Sequence, residues 1–190
     1  MQPTTSSTAE RDGRERPART AVTGGLLLGI GLGGFVDGIV LHQVLQWHHM
    51  LTDYGDYAAY PATTVPALEE NTLWDGLFHA STWVFVTVGL VLVWRAAGHG
   101  AVLTGRGLLG TLLTGWGLFN LVEGIVDHHL LTVHHVRDDV ADPLWWDLGF
   151  LAFGVLLVAV GLVLTRSSRS SARDGRRLPR PTPPPTPPSR

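Results

Sequence analysis

Four long apolar segments, at about residues 21–45, 73–94, 107–130 and 145–165, constrain this chain more than any other feature. Each is close to the ~20 residues a helix needs to cross the hydrocarbon core of a bilayer. Backbone in hydrocarbon must satisfy its own hydrogen bonds, so such segments predict helices. Four of them predict an all-α fold, an integral membrane four-helix bundle over residues 21–166. The first segment is too long for a secretory leader and lacks a convincing small-residue cleavage site. Residues 1–20 are polar with no apolar face and read as a disordered arm. Residues 167–190 are basic, then Pro-rich, and read as a disordered tail.

Arginine sets the orientation. With both ends cytoplasmic, 13 of the 14 arginines lie inside and only Arg137 lies outside, as the positive-inside rule requires. Asp53, Asp56, Glu69, Glu70, Asp138, Asp139 and Asp142 then fall in the two outer loops, and every histidine except His99 lies in the outer half of the bilayer or just beyond it. The chain has no Cys, which excludes disulfides, thiolate metal sites and cysteine nucleophiles. Its one basic run is a short tail, so no nucleic-acid partner is expected.

The apolar segments carry chemistry that lipid does not favour. Residues 37–49 read DGIVLHQVLQWHH, and residues 123–135 read EGIVDHHLLTVHH. Asp37, His42, His48 and His49 thus recur as Glu123, His128, His134 and His135, at an offset of 86 residues. The second and fourth segments align at an offset of 72, with Asp75 matching Asp147 and Leu151 standing opposite His79. The pattern predicts two tandem helical hairpins related by an axis along the membrane normal. The extra length sits in the first outer loop, whose Tyr54, Tyr57, Tyr60, Pro61 and Pro66 suit a cap over the outer mouth. At 100° per residue Asp37 aligns with His48, and His42 with His49, in two stripes along one helix.

Asp37, His42, Asp75, His79, Glu123 and His128 fall in one slab about two helical turns thick. Ionisable groups at that depth are expensive and default to function. Imidazole with carboxylate is a ligand set for zinc, iron, manganese or copper(II), and haem is a second option through two axial histidines. The candidate metal ligands are His42, His79 and His128, with Asp37, Glu123 and Asp75 in support. His48, His49, His134 and His135 read equally well as site residues and as interfacial residues. Trp74, Trp145 and Trp146 read as an interfacial belt, and Asp75 and Asp147 also suit helix N-termini. The segment-one glycines fit close helix packing better than approach to a macrocycle. A register-fixing polar network and a proton relay through Asp37 and Glu123 stay open beside the metal reading, as does an oxidoreductase.

GGFVDGIVLHQVLQWHH (33–49), NTLWDGLFHASTW (71–83) and FNLVEGIVDHHLLTVHHVR (119–137) resemble the bacterial four-helix predicted membrane proteins of domain of unknown function twenty-two forty-three. The resemblance covers about residues 20–166. It implies four transmembrane helices in the bacterial plasma (inner) membrane, and no established activity comes with it. It also implies an association with respiratory oxidase assembly factors of the copper-delivery type. A glycine-rich bundle of this kind would also suit a homo-oligomer.

Overall fold

The computed structural model describes residues 5–53, 64–102 and 104–174. Helix α1 spans Thr5–Val36 and continues without a break into a π-helical stretch, π1, over Asp37–Val44. Helix α2 spans Val65–Gly98. Helix α3 spans Gly105–Glu123 and likewise passes into a π-helix, π2, over Gly124–Leu130. Helix α4 spans Leu144–Asp174. The described residues contain no strand, and four helices are long and apolar enough to cross a membrane.

Local chemistry explains the helix starts. Thr64 is extended, with Pro66 in the first turn of α2, where a missing N–H costs nothing. The Thr104 hydroxyl accepts the Gly107 N–H at 3.0 Å and caps α3. At α4 the Pro143 carbonyl accepts the N–H groups of Trp146 and Asp147. The helices overrun their apolar cores. α1 takes in residues 5–20, expected as a disordered arm, and α4 reaches Asp174 inside the expected tail. Propagating a helix already nucleated in the apolar segment is cheap, and the Glu15–Arg19 pair at 2.8 Å supports its polar extension. The tyrosines of the expected outer cap lie outside the described residues.

α1 packs on α2, α3 packs on α4, and α1 and α3 pack against each other at the centre. The central crossing depends on Gly29 and Gly115. A Cβ on Gly29 would run into the Leu112 carbonyl, and one on Gly115 into the Leu26 carbonyl. Only hydrogen at these positions lets the two backbones touch.

The interior is polar and the exterior apolar. The largest fully buried side chains are His42, His48, His128, His134, Asn71, Asp75 and Asp147. Leucine, valine and tryptophan side chains stand exposed along the outside of all four helices. This inversion of the water-soluble pattern fits a bundle solvated by lipid.

Candidate metal centre

His42 lies five positions after Asp37, and His128 five positions after Glu123. On an α-helix that spacing points the side chains to different faces. In the π-helix the backbone bond runs to the fifth residue, which comes back round over the first. Leu45 N–H donates to the Val40 carbonyl and Leu131 N–H to the Val126 carbonyl, both at 2.8 Å. Asp37 Oδ2 consequently stands 3.1 Å from His42 Nε2.

Both boxes then leave the helix. Gln46 (φ 52°) and Thr132 (φ 48°) turn the chain in the left-handed region, at matching positions of the two boxes. The turn folds His48 back so that its ring centroid is 4.5 Å from that of His42, and His134 back to 5.0 Å from His128. The two stripes expected on one straight α-helix therefore do not form. Each acid and its two histidines gather in a knot at the helix end.

The knots lean on each other. His48 Nδ1 donates to the Val136 carbonyl at 2.9 Å, and His134 Nδ1 to the Met50 carbonyl at 3.2 Å. Asp53 N–H donates to the Val133 carbonyl and Asp138 N–H to the Trp47 carbonyl. Each box thus fixes the other's outer histidine. The His48 and His134 rings stack 4.5 Å apart with planes 4° from parallel, and the Asp37 and Glu123 carboxyl groups also interact.

Two aspartates stand behind the rings. Asp75 accepts from His42 Nδ1 at 3.0 Å, His49 Nδ1 at 2.7 Å and the Met50 N–H at 3.0 Å. Asp147 accepts from His135 Nδ1 at 2.7 Å and the Val136 N–H at 2.9 Å, and lies 3.5 Å from His128 Nδ1. Such outer partners fix tautomer and ring orientation around metal ligands. Carbonyl oxygens only accept, so in His48 and His134 the proton sits on Nδ1 and leaves the Nε2 lone pair of a neutral ring bare. Burial pushes His134 down to about 4, and burial with His134 alongside pushes His48 well below its usual value. Both rings are therefore neutral near pH 7.

What remains unpaired is concentrated here. The Nε2 atoms of His48, His128 and His134, His128 Nδ1 and one Glu123 oxygen are buried without a hydrogen-bond partner, while Asp37 Oδ2 and His42 Nε2 face each other at 3.1 Å. They form two groups, Asp37–His42–His48 and Glu123–His128–His134. Within each, one ligand atom per residue lies within 4.8 Å of the others, a geometry that could hold a metal ion.

The structure brings Asp37, His42, Glu123 and His128 together as the sequence slab suggested, and sets Asp75 behind His42. It places His79 apart. His79 Nδ1 donates to the Asp75 carbonyl at 2.7 Å, and its ring packs by Phe35 and Phe78. His48 and His134 join the centre instead. The signal for them was the full repeat of the box, which includes the outer pair.

These features define an integral membrane protein with a histidine–carboxylate centre. The chain belongs to the family described as Predicted membrane protein (DUF2243), whose model matches residues 24–168. No curated protein and no solved structure matches it.

Proposed function

We propose that this multi-pass membrane protein binds two divalent transition-metal ions side by side, one in each histidine–carboxylate group. Asp37, His42 and His48 would hold the first, and Glu123, His128 and His134 the second. The observation that carries this reading is the gathering of buried ligand atoms into two groups, each with its three atoms within 4.8 Å of one another. Four of these atoms, the Nε2 atoms of His48, His128 and His134 and one Glu123 oxygen, have no partner; at about 1–3 kcal/mol for each unsatisfied buried polar group they would cost on the order of 8 kcal/mol, comparable to the whole stability of a domain. A network that served only to fix helix register would pair these four as it pairs Asp37 with His42. Metal ions compensate all of them at once.

The two-histidine, one-carboxylate set favours iron, zinc, manganese or copper(II) over a thiolate-seeking ion. The rings touch directly, which suits bare ions and leaves no slab for a macrocycle between them. The arginine distribution supports cytoplasmic termini in a plasma membrane and a centre in the outer half of the bilayer, where the chain would handle metal at the outer face. Service to respiratory oxidase assembly rests on the family resemblance alone.

Metal content per chain, by elemental mass spectrometry on detergent-purified protein, tests the reading. Two ions in the wild type, and none in a His42→Ala/His128→Ala variant that keeps its helical circular dichroism, are the expected result. A folded wild type free of metal after growth in metal-supplemented medium would sink it.

A further inference from the structure

A second site adjoins the centre. Between α1 and α4, floored by α3, lies a groove of about 600 Å³. That volume suits a small organic molecule. Trp47 and Trp146 meet edge to face at its outer end, with centroids 5.2 Å apart. Trp116 and Phe153 do the same at 6.2 Å further along. Trp146 and Phe153 are also exposed on the outside of the bundle, so the groove opens sideways toward lipid.

Its polar features are few. Asn120 lines the groove at 2% exposure, and its Oδ1 accepts no hydrogen bond. Asp37 lines it too and marks where it meets the metal centre. An acyl chain would fill such a groove but brings no donor to Asn120, leaving that oxygen's desolvation uncompensated. A flat hydroxyarene supplies both a π-face for the indoles and an O–H for the amide oxygen.

The lining of the groove breaks the internal repeat. Gly33, which lines it, corresponds to Phe119 at the offset of 86, and Asn120 corresponds to Gly34. At the matching place beside α2, Phe119 packs on Phe78 with centroids 6.0 Å apart. One side of the bundle thus has a slot with an acceptor where the other has packed rings.

We infer that this groove binds a lipid-soluble hydroxyarene of the quinol class, with its ring against the indoles that line it and a hydroxyl donating to Asn120 Oδ1. Binding rests on the groove and Asn120, and holds whether or not the adjoining centre carries metal. If the centre does, the bound ring lies next to it, through Asp37.

The test is titration of the full-length protein in detergent, under argon, with duroquinol and with its dimethyl ether, which lacks donors. Tryptophan fluorescence is the readout, since Trp47, Trp116, Trp145 and Trp146 all line the groove. Saturable quenching by duroquinol, about tenfold tighter than by the ether, is expected for one buried hydrogen bond. Asn120→Leu should erase that preference. Gly149→Phe should abolish saturable quenching by both compounds. A side chain at Gly149, another lining residue, meets no atom within 4 Å at its Cβ, so this variant should fold, as circular dichroism would verify. Equal affinity for the ether would mark an acyl-chain crevice and overturn the assignment, as would an absence of saturable quenching or its persistence in Gly149→Phe. Metal content measured on the same samples separates failure of this inference from failure of the metal reading.

Discussion

His48 and His134 lie face to face, 4.5 Å between ring centroids and 4° from parallel, yet 86 residues apart in the chain. Each belongs to a different ligand group, so this stack is where the two proposed metal positions meet. Loaded with copper(II), the wild type should show an electron paramagnetic resonance spectrum broadened by coupling between neighbouring ions. His48→Ala should lose one ion per chain and give a single uncoupled signal. An uncoupled wild-type spectrum at two ions per chain would mean that they sit elsewhere.

Asp75 and Asp147 orient histidines and do not point bare oxygens at the centre, because their oxygens already accept ring and backbone N–H groups. Asp75→Asn and Asp147→Asn should therefore weaken metal binding by about 10–100-fold without abolishing it. Competition with a chromophoric chelator measures the change. His79→Ala should leave affinity within about twofold, since its Nδ1 is engaged by the Asp75 carbonyl and outer-shell losses are larger than that.

This division between ligands and supports shows how far the residues could be read beforehand. Segment length and hydropathy marked the four helices, because bilayer thickness acts on composition directly. The repeated acid and histidines exposed the centre. The α-helical period then misled, since a π-helix begins at Asp37 and another at Gly124, and no residue type in either box announces the change. The reversal at Gln46 and Thr132 was equally hidden, as neither is a residue that favours positive φ. His48 and His134 reach the centre only through that reversal. His79 shared a depth slab with His42, but depth along a helix does not say which face a ring takes.

The contact of Gly29 with Gly115 makes the centre depend on a distant crossing of α1 and α3. Gly115→Ala would press a methyl group onto the Leu26 carbonyl, an overpacking that costs about 1–3 kcal/mol. The added bulk pushes apart the helices that carry the two acids. Lower thermal stability in detergent, together with weakened metal binding, is expected. A variant with wild-type melting and metal content would show that the crossing tolerates separation.

Asp138 gives the outer surface a pH dependence of its own. Burial raises its carboxyl to about 7, and the facing Asp53 carboxylate adds to this against the His135 N–H, which favours the ionised form. The folded protein therefore holds this proton more tightly than the unfolded chain, whose aspartate titrates near 3.8. The resulting stabilisation is complete below the unfolded value and is lost as pH rises through about 7. Asp138→Asn keeps an acceptor for the His135 N–H and offers Asp53 a permanent donor. The melting temperature of the variant relative to the wild type should rise from pH 5 toward pH 7 and level off by pH 8. A difference that stays constant from pH 5 to 8 would show that Asp138 does not titrate in that range.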